Sequence, residues 1–586
     1  MRRVLLIAAL GAVTRAASAQ ATPPPPDTIL AVAVVRPTPD SIFAPLPRAE
    51  APAPLDGGIT HRWVRDELFR SGAMNLAELL DRIPGVSLLR SGLLLSPQVL
   101  TWWGDPTRVR VFLDGVELDQ LDARSGAARD LGVVDLWTLE EVSAETTPAE
   151  LRVHLRSWRV DRRVPETRVD VYTGDDDSNL YRGFFGRRFA SGLAAQFGFQ
   201  QFSSVNRQQG GDGDALSLFA RAGWARRDWS FDAAVHRENR TRNATLRVDE
   251  SPGIPPFAGG TTHLVGRAAY RTPDARGLWG QLAVHSGTWR EAAAGGDGVS
   301  AFSTDTVDTL VTRRQFMGTA GLTAFGVRLS GTGRYRTVGD AWYFTPSARA
   351  SWERWGLAAS AFLEHNAEDS IARLDVSARY RVRRWLSAEF GASDRAPMWT
   401  NPEVAATAWR GLGRMQLFGW ELSGGALSIP AATIRPIQVF NAGYDTVTVP
   451  ARSATLFGAS GPLYRVVRLD LHATQWEAVG PYRPATELRA RVHMETEWRQ
   501  RFPRGDFTFR GSLEYRNQGE TIAPVATGDL TLIAASTWTS VVELRIRTAT
   551  ITWQFRNNTG TIYESVAGFR MPQRVNLYGI RWNFAD

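Results

Sequence analysis

Apolar and polar residues alternate along most of the chain, from about residue 165 to its end. The segment 373–383 alternates without a break, and so do 487–495 and 507–515. A period of two is the pattern of β-strands that bury one face. Segments of about 9–11 residues suit a strand that crosses a bilayer at a tilt. Because backbone groups in lipid must all pair within the protein, such strands must close into a barrel.

The number of alternating segments predicts a large barrel. Roughly twenty candidate strands in about 420 residues fit a mainly β fold, a transmembrane antiparallel β-barrel of about 16–22 strands, with 22 as the preferred value. We assign this barrel to residues 161–586, with the apolar strand face toward lipid and the charged face toward the lumen. The glycine-rich segments 239–262 and 292–308 are predicted loops. Tryptophans near strand ends are predicted to lie at the membrane interfaces, as at Trp476, Trp498 and Trp553.

The composition agrees with a barrel and excludes several other classes. Hydrophobic residues make up 43% of the chain and the mean hydropathy is -0.23. Beyond the N-terminus, no run reaches the roughly 20 apolar residues of a membrane-spanning helix. Cysteine is absent, which excludes disulfides and thiolate chemistry. The formal net charge is +8, but its arginines are interleaved with Asp and Glu, whereas a nucleic-acid binder clusters its charge on one face.

The first 19 residues have the three parts of a secretory signal peptide. Arg2 and Arg3 supply a charged start, residues 4–13 form a short apolar run, and Ala17 and Ala19 mark a small-residue cleavage site. The apolar run is too short to span a bilayer as a helix. We therefore expect residues 1–19 to direct export, and the protein to reside in the outer membrane of a Gram-negative-type bacterium.

Residues 20–57 are rich in proline and are predicted to form a flexible periplasmic arm. Inside this arm, residues 27–35 form an apolar, β-prone island that begins Asp27, Thr28, Ile29, Leu30, Ala31, Val32. Such a segment could add as a strand to the sheet edge of a partner protein, where backbone hydrogen bonds supply the affinity. The alternative is an apolar stretch of linker without a partner.

A small α/β domain is predicted between residues 58 and 160. Asn75 is a good helix N-cap, and Glu78 can return a bond to the first turn. Leu76, Leu79, Leu80 and Ile83 share one helical face. Pro84 and Gly85 then end the helix, and the residues from Val86 to Leu89 read as a strand.

A second unit of this domain is a hairpin in residues 109–118. Asp114 and Gly115 stand between two apolar runs, which is a strong turn signal. Further strands are predicted around Val142 and at residues 151–155. The domain contains no cluster of catalytic residue types.

Two motifs of this domain resemble the plug domain of TonB-dependent receptors. The first is "LAELLDRIPGV", with Leu79, Leu80, Ile83, Pro84, Gly85 and Val86; the second is "VRVFLDGVEL", with Asp114 and Gly115. The resemblance implies a plug inside the barrel, and it implies that residues 27–35 are the TonB box, gripped by a TonB-type energy-transducing protein. The glycine-rich stretch that follows the second motif in the family is missing here, so the plug is short.

The last strand of the chain resembles the assembly signal of outer-membrane barrels. Tyr578, Ile580, Trp582 and Phe584 alternate with polar or small residues, and an aromatic residue lies close to the C-terminus. The resemblance implies recognition by the barrel assembly machinery. Two residues, Ala585 and Asp586, follow the aromatic position, which is a small departure from the pattern.

No catalytic residue, metal site or cofactor is predicted. The chain has no Gly-x-Ser-x-Gly motif and no glycine-rich phosphate loop. Its 8 histidines are scattered, and none pairs at a metal-ligand spacing with a third ligand nearby. The many Asp and Glu residues include no pair that is singled out as acid and base. We therefore do not expect an enzyme.

The leading hypothesis is an outer-membrane receptor that takes up a scarce nutrient, with opening of the plug gated by an extracellular ligand and energised by the TonB complex. A siderophore, cobalamin, an oligosaccharide or a peptide would all suit such a receptor. Its other expected surroundings are outer-membrane lipid and lipopolysaccharide, and it is expected to be a monomer that binds no nucleic acid. Two alternatives remain: a barrel without energised transport that serves adhesion or assembly, and a soluble periplasmic all-β enzyme, whose polar strand face would point outward.

Overall fold

The fold is taken from a computed structural model, which describes the following residues: 48–49, 60–119, 121, 128–206, 209–274, 276–292, 307–368, 370–397, 407–435, 437–440, 446–525 and 527–584. The predicted signal peptide, residues 1–19, and the predicted TonB box, residues 27–35, lie outside them. No helix in these ranges is both long enough and apolar enough to cross a membrane.

The N-terminal part of the described chain is a small mixed domain. Its helices are α1 (Arg65–Arg70) and α2 (Leu76–Leu80), and its strands are β1 (Thr60–Val64), β2 (Val86–Leu89), β3 (Val99–Trp102), β4 (Val109–Leu113), β5 (Val116–Glu117), β6 (Leu139–Thr146) and β7 (Leu151–Ser157). Five of these strands form one sheet in the order β1-β6-β7-β4-β5. Strand β1 is therefore an edge strand of this sheet, and among the described strands it pairs with β6 alone.

Local sequence signals explain the shape of this domain. The Asn75 side chain accepts a hydrogen bond from the Glu78 backbone N–H at 3.1 Å, as expected of an N-cap. Asp114 and Gly115 both have positive φ, 49° and 89°, and form the tight turn between β4 and β5. The leucines of α2 and Ile83 are fully buried in the main core of the domain, together with Trp102.

Twenty-two strands of the described chain close into one barrel. This confirms the predicted fold class and the preferred value of 22 strands. They are β8 (Glu166–Gly174), β9 (Asn179–Arg188), β10 (Leu193–Val205), β11 (Asp212–Arg226), β12 (Trp229–Arg242), β15 (Phe257–Tyr270), β16 (Gly277–Ala292), β17 (Val307–Ala324), β18 (Val327–Val338), β19 (Ala341–Arg354), β20 (Leu357–Asn366), β21 (Ile371–Arg383), β22 (Leu386–Pro397), β23 (Ala408–Leu417), β24 (Trp420–Ile429), β27 (Arg452–Tyr464), β28 (Val467–Trp476), β29 (Thr486–Thr496), β30 (Phe507–Gln518), β33 (Ala535–Ile546), β34 (Ala549–Arg556) and β37 (Val575–Phe584). All neighbours are antiparallel, and β37 closes the barrel on β8, with Trp582 opposite Val169.

Strand alternation sorts the side chains between the two faces of the wall. On β21, Leu374, Val376 and Tyr380 point outward and are about half exposed, whereas Arg373 and Arg379 point inward and are each 4% exposed. An apolar outer band with a charged interior is the arrangement of transmembrane β-barrels. The small N-terminal domain lies inside the barrel and covers the inward arginines, so we call it the plug.

The two ends of the barrel differ in the length of their connections. At the end where the plug leads into β8, several strand pairs are joined by two-residue turns, such as Phe325-Gly326 and Phe418-Gly419, whose aromatic side chains are 91% exposed. Longer connections predominate at the opposite end. Short turns mark the periplasmic side of such barrels, and longer loops mark the extracellular side.

Trp476 departs from the predicted interfacial position. It stands at the end of β28, as such a residue should, but its side chain points into the lumen and is only 4% exposed. Its ring meets that of Trp103 from the plug at 5.5 Å, edge to face. A position near a strand end does not decide which face of the strand a residue occupies, so this prediction was wrong.

Four small hairpins occur in the long connections. They are formed by β13 (Thr245–Leu246) and β14 (Pro252–Ile254), β25 (Ala432–Ile434) and β26 (Val447–Val449), β31 (Thr521–Val525) and β32 (Gly528–Leu532), and β35 (Glu564–Val566) and β36 (Phe569–Arg570). The predicted loop 239–262 is thus shorter than expected, because β12 continues to Arg242 and β15 begins at Phe257. Gly260 belongs to β15, where a Cβ atom would lie only 2.1 Å from the Glu238 carbonyl oxygen, so glycine there marks a close approach of strands.

Apolar residues of these four hairpins meet each other and the plug in one buried cluster. The hairpins contribute Ile254, Ile434, Leu532 and Phe569 to this cluster, and the plug contributes Val99. We call this cluster the apolar cap. It covers part of the plug on the long-loop side of the barrel.

Candidate functional site

The interface between plug and barrel is strongly charged. Plug carboxylates face arginines of the inner wall, as in the pairs Asp81–Arg516 at 2.8 Å and Glu145–Arg349 at 2.9 Å. Removing one partner of a buried ion pair is costly, because the other charge stays buried without compensation. Charge pairing therefore fixes the position of the plug in the lumen.

Glu78 shows how a plug helix is tied to the wall. Arg556 of β34 donates two hydrogen bonds to its carboxylate, at 2.6 and 2.9 Å, and Arg90 of the plug donates a third at 2.9 Å. Burial alone would raise the pKa of Glu78, but the two guanidinium groups lower this pKa to about 2. The same carboxylate accepts a hydrogen bond from the Met74 backbone N–H at 3.0 Å. One side chain therefore both caps the start of helix α2 and anchors this helix to the barrel wall.

A larger ionic network joins the β4–β5 hairpin to the opposite wall. Arg110 donates two hydrogen bonds of 2.8 Å to Glu117 and also pairs with Glu364 of β20 at 2.8 Å. Glu364 in turn accepts from Arg334 of β18 at 3.0 Å. Burial opposes ionisation of Glu117, but Arg110 and the nearby Arg336 hold its pKa well below the usual range. This side of the plug is thus tied to several consecutive strands.

One sector of the interface is apolar instead. Trp103 of the plug meets Trp476 of β28 edge to face. Leu427 and Ile429 of β24 and Ala454 of β27 belong to the same buried core cluster as these two rings. We call these five residues the apolar seam. Within the described ranges, no ion pair joins the plug to β24, β27 or β28. The plug is therefore attached by charge over most of its circumference and by packing alone at the seam.

A chamber lies on the long-loop side, between the wall strands β12, β15 and β16 and the plug residues 118–119, 121, 129–130 and 133–134. Its volume is about 130 Å³. Its lining includes Phe257 and Trp289, whose stacked rings are 6.1 Å apart, and His263. A pocket that combines aromatic walls with a few polar groups has the lining of a typical ligand site.

The charges that line the chamber are mostly paired with each other. Arg240 pairs with Glu238 at 2.8 Å and with Asp130 of the plug at 3.4 Å. Asp119 of the plug is held by Arg336 at 3.2 Å. Arg129 differs, because its buried Nε and Nη1 atoms have no hydrogen-bond partner within the described part of the chain. Two nitrogen atoms of one guanidinium group at the chamber are therefore without a hydrogen bond among the described residues.

Three histidines form a row on the inner wall beside the chamber. His236 on β12 is directly opposite His263 on β15. On the next strand, β16, the residue opposite His263 is Gly287, and His285 is the neighbouring residue on the same face, two positions earlier in the chain. His263 Nδ1 is 3.1 Å from His285 Nε2. His236 Nε2 is bonded to Ser217 Oγ at 2.9 Å. The sequence alone gives no sign of this row, since its members are brought together only by strand register.

The structure places most of the residues selected from the sequence. Leu79, Leu80, Ile83 and Val86 are fully buried in the plug core, and Pro84 and Gly85 lead from α2 into β2. Tyr578, Ile580, Trp582 and Phe584 point outward from β37, each about half exposed. The proposed TonB box from Asp27 to Val32 lies outside the described residues. Within those residues, no group of three or more His, Asp or Glu side chains is arranged to hold a metal ion.

Comparison with solved structures identifies the fold. The ferric enterobactin receptor PfeA of Pseudomonas aeruginosa, in a mutant form, is 11% identical, with a TM-score of 0.67, over 90% of this chain and 98% of that chain. The siderophore receptor PirA of Acinetobacter baumannii is 10% identical, with a TM-score of 0.64, over 90% and 98%. The FrpB iron transporter of Neisseria meningitidis is 11% identical, with a TM-score of 0.66, over 90% and 100%.

The class that these observations define is a 22-strand β-barrel with an N-terminal plug inside it. Its fold is that of the TonB-dependent receptors, as the plug motifs predicted. The sequence matches no protein-family model and no curated protein. The likeness to these receptors is therefore a likeness of fold, at 10–11% sequence identity.

Proposed function

We propose that the protein is an outer-membrane receptor for ligand-gated uptake of a scarce nutrient. The observation that carries this proposal is the combination of a plugged lumen with a chamber on the long-loop side of the plug. The chamber lies where a ligand from outside the cell would arrive, and the plug lies between that chamber and the short-turn end. The structural neighbours, which are receptors for siderophores and an iron transporter, support uptake as the activity.

The proposal keeps the division of the chain that is expected from the sequence. Residues 1–19 direct export and are removed, residues 20–57 form the periplasmic arm, residues 58–160 form the plug, and residues 161–586 form the barrel. A TonB-type protein grips residues 27–35 and pulls. The barrel assembly machinery recognises the final strand through its outward aromatic residues.

The edge strand β1 is where such a pull would act first. The arm leads directly into β1, which pairs with β6 along only one side. An edge strand can be removed without breaking the pairs between the inner strands of its sheet. Pulling therefore loosens the plug from one edge, while the ionic network of Arg110 and Glu117 holds the opposite part of the sheet.

A barrel without energised transport is the second candidate. The apolar cap favours it, since the cap closes part of the long-loop face by packing between hairpins. In that case the outward surface of the hairpins would serve adhesion or assembly, and the plug would be a permanent seal.

Deletion of residues 27–35 discriminates between the two. We would compare growth of strains that carry the whole chain, the deletion, or an equally long deletion of residues 36–44, with iron, cobalamin or an oligosaccharide limiting in turn. Energised uptake predicts that the first deletion abolishes growth on one nutrient and that the second deletion does not. Equal growth of all three strains on the nutrient that the protein supplies would contradict energised uptake.

A further inference from the structure

A second cavity lies between the plug strands β4 and β7 and the wall strands β16–β20, and its volume is about 40 Å³. A water molecule needs at least about 10–15 Å³ of such space, so the cavity has room for one small ion together with a water molecule. We infer that it is a binding site for one monatomic anion such as chloride, and that this ion fastens the plug to the barrel. Such an ion would be bound whether or not the protein takes up a nutrient.

The charged groups in the lining of this cavity are all positive. They belong to Arg152 of β7, Arg334 of β18 and Arg349 of β19, and no Asp or Glu of the described chain reaches the cavity. The other polar groups of the lining are hydroxyls, one amide and the ring of His154. Burial lowers the pKa of His154 to about 4, so this ring is neutral at neutral pH. Three guanidinium groups around so small a space repel each other, and an anion between them attracts all three.

The carboxylates that pair with two of these arginines lie outside the cavity. Glu145 accepts two hydrogen bonds from Arg349, at 2.9 and 3.0 Å, and its Oε2 is also 3.8 Å from Arg152 Nη1. Arg152 has a second carboxylate partner in Asp375. Two positive charges are therefore balanced by two negative charges at this side of the cavity.

The third arginine, Arg334, shares its carboxylate with two other arginines. It pairs with Glu364 at 3.0 Å. The same carboxylate pairs with Arg110 at 2.8 Å and with Arg373 at 3.2 Å, and these two arginines also have carboxylate partners of their own. Glu364 therefore balances Arg334 only in part, and an anion in the cavity would supply the rest.

Buried hydrogen-bond donors at the cavity lack an acceptor. Among the described residues, Nε and Nη1 of Arg152 and Nε of Arg334 make no hydrogen bond. Arg152 is fully buried and Arg334 is 7% exposed. A buried donor without an acceptor is costly, and hydrogen bonds between a guanidinium group and an anion are among the strong ones. Gln281 Oε1 of the lining is an acceptor without a donor, which suits a water molecule beside the ion.

Hydroxyl groups of the wall supply a further donor. Thr319 Oγ1 on β17 and Thr332 Oγ1 on β18 are 2.9 Å apart, and both residues line the cavity. In such a pair one hydroxyl donates to the other, so the proton of the accepting hydroxyl remains to be donated elsewhere. An anion in the cavity can accept it without a change in the charge of the protein.

The donors of this site come from both the plug and the barrel. Arg152 belongs to the plug, whereas Arg334 and Thr332 belong to the wall. A movement that separates β7 from β18 therefore takes the site apart and releases the ion. Because the ion binds only when plug and wall are in contact, it stabilises that contact in proportion to its concentration.

The test is hydrogen exchange of the amides of β4 and β7 in the purified full-length protein in detergent. Chloride is raised from about 1 mM to about 300 mM, and gluconate, which is too large for the cavity, replaces it so that screening by salt stays constant. One ion is released for each opening. The amides that exchange through separation of plug and wall should therefore become about tenfold better protected for each tenfold rise in chloride above half-saturation.

Two cavity variants and one control locate the effect. Arg334→Met removes a guanidinium group, and the double variant T319V/T332V removes two hydroxyls without a change of charge. Each should raise the half-saturating chloride concentration at least about tenfold, since a hydrogen bond to an ion contributes about that factor or more. Arg379→Met is the control, because Arg379 is also buried on the inner wall and pairs with Glu353. It is not part of the cavity lining, so this variant should keep the chloride dependence of the wild type.

Crystals grown in bromide show the ion directly. Anomalous scattering should place one bromide within about 3.5 Å of Arg334 Nε. Water at that position, or exchange that does not depend on chloride in the wild type, overturns the anion site. An equal chloride dependence in the wild type and in both cavity variants also overturns it, since the ion then acts elsewhere. A bromide in the cavity combined with chloride-independent exchange contradicts the fastening of the plug by the ion.

Discussion

Single residues carry the attachment of the plug, and Glu78 is the clearest case. Its carboxylate is shared between the cap of helix α2 and two arginines. Arg556→Met should lower the local stability of α2 by about 3 kcal/mol, at the lower end for a broken buried pair because Arg90 stays in place. Hydrogen exchange of the amides in residues 76–80 measures this loss.

Two further variants test that interpretation. In the double variant E78Q/R556M, no carboxylate is left buried without a partner. Most of the protection of amides 76–80 against hydrogen exchange that R556M removes should therefore return. Arg499→Met removes an arginine of an exposed pair with Glu497 and should change stability by less than about 0.5 kcal/mol. Equal loss of amide protection in R556M and R499M would show that the ion pair between Glu78 and Arg556 does not stabilise helix α2.

At the scale of elements, strand β1 carries a pH-sensitive contact. Burial of His61, together with the positive charges of His472, Arg410 and Arg414, lowers its pKa from 6.5 to about 4. A detached β1 would bind a proton below pH 6.5 that the attached strand binds only near pH 4. The attachment of β1 is therefore unaffected above pH 6.5 and weakens as the pH falls from 6.5 to 4.

We expect the detached population of β1 to rise about tenfold over that range, after discounting for solvent screening of the half-buried ring. Trypsin cleavage after Arg62, corrected for the activity of the protease at each pH, reports detachment. His61→Gln should make the cleavage rate independent of pH between 6.5 and 4. A wild-type rate that does not rise on acidification would contradict the prediction.

Individual strands also show how much of the fold can be predicted from the sequence. Strand β21 is predictable because lipid on one side and the plug on the other impose a strict period of two on residues 371–383. Gly260 misleads, because a glycine that permits close strand contact looks like a glycine that permits a turn. Trp476 misleads because its neighbours in sequence do not reveal the plug tryptophan that it meets.

The histidine row lies beyond any local signal. His236 and His263 are separated by a connection that contains a hairpin, and they become neighbours only through the register of β12 on β15. The same is true of Arg129, whose lack of partners at Nε and Nη1 among the described residues depends on the whole chamber wall. The fold class can be predicted because every strand repeats the same alternating pattern. The candidate site cannot, because it depends on the register between strands that are distant in the sequence.

At the scale of the whole molecule, the asymmetry of the plug attachment predicts where a passage opens. Ion pairs bind the plug to many strands around the lumen, whereas at the apolar seam the described residues bind it by packing without an ion pair. Breaking an ion pair leaves buried charges behind, while parting apolar surfaces admits water without such charges. The seam is therefore the sector that separates at the lowest cost once the plug is loosened at β1.

Two tryptophan variants of equal size test this asymmetry. Trp103 lies in the seam, whereas Trp137 packs edge to face against Phe219 of the wall, in a sector where Arg221 also pairs with Asp114. Both Trp103→Ala and Trp137→Ala should destabilise the plug by about 3–5 kcal/mol. Only Trp103→Ala should raise ionic conductance in planar bilayers, because the remaining ion pairs hold the wall closed around position 137. Equal conductance of the two variants would mean that the plug loosens as one body, and that the seam has no special role.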